Sequence, residues 1–150
     1  MHCRQKIEAW TSSIILTIVP IVAWPVLGQT NDKKDANKAA EPSIQITVVP
    51  PRGVGEDSNG TIGGKASGAN SKECKVVIFA RTDKWYVQPT VSSPFTPIGE
   101  DGQWETDIHL GYEYAALLVK SSYEPPATTG TLPKVAGTVL AITRVPAKKE

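Results

Sequence analysis

Glu105, Asp107 and His109 are the residues whose types and spacing come closest to a reactive set. They alternate with Trp104, Thr106, Ile108 and Leu110, so on an extended strand both carboxyls and the imidazole project from one face at roughly 6–7 Å intervals. Such a row could ligate a metal ion or serve as an acid/base pair. The solvent side of an antiparallel sheet demands the same alternation, and His109 is the single histidine after His2. With no second histidine to complete a coordination shell, the row reads as a polar face, and neither a metal nor a cofactor is expected. A paired-carboxylate glycosidase is disfavoured because those sites lie in clefts, which a small sandwich scarcely offers. Cys74 lacks the His and Asn pattern of a nucleophile and reads as a small buried residue opening a strand. Asp57-Ser58-Asn59-Gly60 departs from the EF-hand template and reads as a turn. No Gly-Lys-Ser/Thr follows the glycines, so no phosphate loop is expected. The chain is therefore expected not to be an enzyme.

The aromatic residues offer binding rather than catalysis. Trp85, Tyr86, Tyr112 and Tyr123 are the candidate ligand contacts, because a flat ring beside hydrogen-bonding side chains is how an exposed surface holds a sugar. Trp85 and Tyr86 are consecutive, so on a strand one is core and the other points outward. Trp104 shares a face with Ile108 and Leu110 and belongs to the core. Tyr114 precedes an apolar run and fits a corner tyrosine bonded to backbone. An exposed row of coplanar aromatics would favour a polysaccharide partner. Buried aromatics with a free sheet edge would favour a protein partner.

These residues are positioned by short strands. Ile44, Ile46 and Val48 alternate with Gln45 and Thr47 until Pro50-Pro51, a half-buried strand. A weak strand spans Gly60 to Gly68. The continuous apolar runs Lys75–Ala80 and Tyr114–Val119 read as central strands covered on both faces. Trp85–Gln88 is stopped by Pro89, Phe95–Ile98 is a short edge strand, and Asp101-Gly102 supplies the positive φ of a hairpin turn. After the Trp104–Leu110 strand, a Pro- and Thr-rich connection over Ser121–Ala136 leads to a last strand over Thr138–Val145. The expected fold is all-β: a two-sheet antiparallel immunoglobulin-like sandwich of seven or eight strands over residues 43–147, with a tail at 148–150 and an apolar leader helix before it.

That leader spans residues 1–28. A basic head with Arg4 and Lys6 precedes an uncharged run from Ser13 to Gly28, the pattern of a secretory signal peptide cleaved after Gly28. The alternative is an uncleaved anchor through residues 9–28, because the charge-free stretch from Ala9 to Asn31 exceeds the roughly 20 residues a span needs. Residues 29–42 are polar and charged and read as a flexible linker. Either reading places the domain beyond the membrane, secreted or in the cell envelope. The chain carries 16 Lys and Arg against 15 Asp and Glu, a net charge of +1, and Arg4, Lys6 and Glu8 fall in the leader, leaving the remainder balanced. A nucleic-acid partner is excluded for want of a basic surplus.

The segments Lys75–Pro89, Asp101-Gly-Gln-Trp104, Ile108-His-Leu-Gly111 and Tyr114–Val119 together resemble a bacterial secreted immunoglobulin/fibronectin-III-like module found beside glycoside hydrolases. The resemblance covers about residues 43–146 and implies a non-catalytic, carbohydrate-associated domain with no catalytic residues to carry over. The expected partner is a polysaccharide or, in the alternative reading of a structural envelope protein, another envelope protein.

Overall fold

The computed structural model describes residues 40–55 and 57–149. The leader and most of the linker lie outside these residues. Nine strands follow one another: β1 (Ser43–Val48), β2 (Asn59–Ser67), β3 (Cys74–Arg81), β4 (Trp85–Gln88), β5 (Phe95–Thr96), β6 (Gln103–His109), β7 (Glu113–Lys120), β8 (Thr128–Thr129) and β9 (Val139–Pro146). They form two sheets whose ladders are antiparallel, one ordered β1-β2-β6 and the other β8-β4-β3-β7-β9, with β5 also paired to β3. The fold is all-β and sandwich-like. β8, which pairs with β4 through only two residues, lies in the Pro- and Thr-rich connection and takes the count past the expected seven or eight.

Alternation along the strands builds the layer between the sheets. Ile44, Ile62, Ala66, Trp104 and Ile108 of the small sheet meet Val76, Ile78, Ala80, Tyr114, Ala116 and Leu118 of the large one. Gly64 makes this packing possible, because a Cβ there would lie 2.7 Å from the Trp104 ring and 1.9 Å from the Gln45 carbonyl oxygen. The opposite face of the large sheet is apolar as well: Val77, Phe79, Trp85, Val87, Ala115, Leu117 and Val119 cluster there. Left in water, each Val, Leu or Phe side chain of this cluster would forgo about 1.5–3 kcal/mol of burial. The cover comes from the connection between β7 and β9, which lays Tyr123 and Leu132 on this cluster. The two apolar runs are thus buried on both faces, as their composition predicts, under a loop.

Two corners fix the ends. After β1, Pro51 bridges in parallel to Lys148, and Lys148 N–H donates to the Pro50 carbonyl at 3.0 Å, so the chain steps from the edge of one sheet to the edge of the other. The Tyr114 hydroxyl accepts from Gly111 N–H at 3.0 Å and donates to the Pro51 carbonyl at 2.8 Å. The corner tyrosine expected from sequence therefore ties the start of β7 to the crossover after β1. At the other end Gly102, with φ +81°, closes the Asp101-Gly102 turn that launches β6.

Candidate functional site

The two sheets differ in width, and the site follows from that mismatch. On one side of the sandwich β6 is the last strand of the small sheet, whereas the large sheet continues past β3 to β4. Tyr86 and Gln88 pair with Ala80 and Ile78, both residues of the inter-sheet layer, so they share the face of β4 that looks toward the small sheet. That sheet stops short of them. A cleft of about 360 Å³ remains, lined by Gly55, Ala80, Thr82, Tyr86, Gln88, His109 and Leu110. It lies at the end of the sandwich remote from Ser43, since Ser43 pairs with Ser67 while Asn59, at the other end of β2, pairs with His109.

Gln88 spans the gap. Its Oε1 accepts the backbone N–H of His109 at 3.0 Å, which fixes the orientation of the amide, and the residue is 5% exposed. The Nε2 group, with two donors, has no hydrogen-bond partner among the described residues. Tyr86 forms the wall beside it. Its hydroxyl donates to Asp83 Oδ1 at 2.9 Å, and Thr82 Oγ1 donates to the same oxygen at 3.1 Å. The hydrogen bond from Tyr86, seconded by that from Thr82, holds the Asp83 carboxyl below its ordinary range. The same bond to Asp83, with a smaller contribution from burial, pushes the Tyr86 hydroxyl up.

The outer edge of β6 is the second feature. Leu110 N–H donates to the Ser58 carbonyl and Ala66 N–H to that of Gly102, so the even-numbered residues of β6 exchange hydrogen bonds with β2 and the odd-numbered ones turn their backbone groups away from it. At the ends these outward groups are engaged. Gly99 N–H donates to the Gln103 carbonyl, Gln103 N–H donates to Asp101 Oδ1, and Gln88 takes the His109 N–H. Between them the N–H and C=O groups of Glu105 and Asp107 have no backbone partner among the described residues.

The sequence-derived candidates are distributed as follows. Trp85 is the core member of its pair, 3% exposed in the outer cluster, which removes it as a surface contact and leaves Tyr86 facing the cleft. Tyr123 packs half-buried on that same cluster, where burial raises its hydroxyl pKa. Tyr112 is exposed, with the Arg52 guanidinium 4.3 Å from its ring centre, and lies apart from the cleft. No coplanar row of exposed aromatics forms among the described residues. Glu105, Asp107 and His109 are exposed along β6, and Asp107 accepts from Thr61 Oγ1 at 2.7 Å. Among the described residues no group of three or more His, Cys, Asp or Glu gathers as a metal site. Cys74 is buried, and burial followed by the neighbouring Glu73 charge raises its thiol pKa.

The structure brings together Tyr86 and His109, which the sequence singled out separately, and adds Gln88, which sequence reasoning missed. The available signal was parity, because Gln88 follows Tyr86 by two on a strand and must share its face. No family model, curated protein or solved structure matches the chain.

Proposed function

We propose that the chain is an exported, non-catalytic, immunoglobulin-like sandwich that works as an interaction module and receives an extended segment of a protein partner along the edge of β6. The open backbone groups of Glu105 and Asp107 carry this reading. A strand added there would complete ladder hydrogen bonds that the described residues leave unmade.

The strand order supports the immunoglobulin-like comparison. With β1, β2 and β6 as strands A, B and E, and β3, β7 and β9 as C, F and G, the sheets follow the constant-type order, with β4 beside C and the corner tyrosine at the start of F. The constant-type sheet A-B-E-D has a fourth strand beside E, and β6 has none among the described residues. The partner strand would take that place.

The distribution of aromatics also supports a protein partner over a polymer laid across a flat surface. Trp85, Trp104 and Tyr114 are buried, while Tyr112 lies under Arg52 and Tyr86 is approached by Lys84, whose Nζ is 5.5 Å from the ring centre. The carbohydrate-associated reading retains one observation in its favour, the cleft beside Tyr86 and Gln88.

A photo-crosslinking amino acid placed at Glu105 of the full chain, in the cell that produces it, tests the proposal. We expect a single protein adduct at Glu105 that is absent when the crosslinker replaces Lys65 on the neighbouring strand. No adduct at Glu105, or the same adduct from both positions, would reject the β6 edge as the docking surface.

A further inference from the structure

We infer that the cleft between β4 and β6 is a binding site for a small uncharged ligand that bears hydroxyl or carbonyl acceptors beside an apolar face, of the size of a single pyranose ring. This inference is independent of the docking reading, because it rests on Gln88 and the width mismatch of the sheets rather than on the backbone of Glu105 and Asp107.

Three observations carry it. The first is a leftover donor. Gln88 is nineteen-twentieths buried at 5% exposure, its oxygen is committed to His109 N–H, and its two amide hydrogens have no partner among the described residues. The amide nitrogen is not among the fully enclosed atoms that lack a partner, so it stays open to the cleft, where an incoming acceptor can take its hydrogens in place of water. The second is charge: among the described residues the lining of Gly55, Ala80, Thr82, Tyr86, Gln88 and Leu110 includes no acidic or basic side chain, and His109 completes it. A charged ligand would lose its hydration without a counter-charge, whereas a hydroxylated ring needs only donors and acceptors. The third is shape. The volume of about 360 Å³ is at the lower end of the roughly 300–1,000 Å³ range of small-molecule sites, with Leu110 and Ala80 as the apolar side and the Tyr86 ring as a wall. The hydrogen bond to Asp83 at 2.9 Å holds that ring in place before any ligand arrives.

The test is a titration of the 15N-labelled full chain with D-glucose, D-galactose and N-acetyl-D-glucosamine, with glycerol as the acyclic control, read by amide chemical shifts. We expect at least one sugar to give saturable shifts of the Gln88 side-chain amide and the His109 backbone N–H at millimolar concentration, and glycerol to give none. Gln88→Glu keeps an acceptor for His109 N–H and removes the donor, and should weaken binding by about tenfold or more. Tyr86→Ala removes the partly buried wall ring and its hydrogen bond to Asp83 while leaving Gln88 in place; it should produce a loss of similar size and serves if Gln88→Glu does not fold. Absence of saturable shifts with all three sugars, shifts matched by glycerol, or undiminished binding by Tyr86→Ala would overturn the inference.

Discussion

Proline substitution at two adjacent residues of β6 separates a paired backbone from a free one. Thr106 sits opposite Ile62, and by the alternation set at Leu110 and Ala66 its N–H points into the β2 ladder. Thr106→Pro removes that donor, leaves the Ile62 carbonyl without its partner and drives the ring against β2; the lost bond and the orphaned acceptor together cost about 3 kcal/mol. Asp107, one residue on, turns its N–H outward, where a proline is tolerated. Asp107→Pro forfeits chiefly the hydrogen bond from Thr61 Oγ1 to Asp107 Oδ1, an exposed contact worth about 0.5–1 kcal/mol. The difference is about 2 kcal/mol. Trp85 and Trp104 are both buried, so urea unfolding followed by tryptophan fluorescence reports it. With a slope of about 1–1.5 kcal/mol/M, the midpoint of Thr106→Pro should fall roughly 1.5 M below that of Asp107→Pro. Equal midpoints, or a lower one for Asp107→Pro, would mean that the backbone of residue 107 is engaged and that β6 has no open edge.

Other perturbations test the interior. Tyr114→Phe leaves Gly111 N–H and the Pro51 carbonyl without the hydroxyl that joins them, and should lower the stability measured by urea unfolding by about 1–3 kcal/mol. Burial raises the Tyr114 pKa, so the unfolded chain ionises this hydroxyl first; its contribution is complete below the ordinary tyrosine pKa of about 10 and is lost as pH rises through the higher folded value. Alkaline unfolding followed by tyrosinate absorbance should show this loss, and Tyr114→Phe should remove part of the pH dependence. Gly64→Ala places a methyl against the Gln45 carbonyl and the Trp104 ring and should destabilise by about 1–3 kcal/mol or more, visible as a lowered thermal midpoint. Cys74, buried with a raised pKa, should react with a disulfide reagent at neutral pH much more slowly in the native protein than in urea.

Much of the fold was legible from local pattern, because side-chain period and turn chemistry are local properties. The alternation from Trp104 to Leu110 named both the buried and the exposed face of β6, and Asp101-Gly102 marked a turn that uses a positive φ. The apolar runs in β3 and β7 announced two covered faces. Their composition did not reveal what covers the second one, since Tyr123 and Leu132 reach it from a connection with no periodicity of its own. β8 escaped for a related reason: a two-residue strand carries no pattern and exists only because β4 offers an edge.

The sequence by itself determined which residues alternate, where strands stop, and that of Trp85 and Tyr86 one would be core, because those follow from the geometry of an extended backbone. Tertiary structure alone decided which of the two it was, and what lay beside the other. Tyr86, Gln88 and His109 come together because a three-stranded layer faces a wider one, and the β6 edge is open because no strand among the described residues stands next to it. Sheet width and strand neighbourhood depend on pairings between residues far apart in the chain, and no local spacing encodes them.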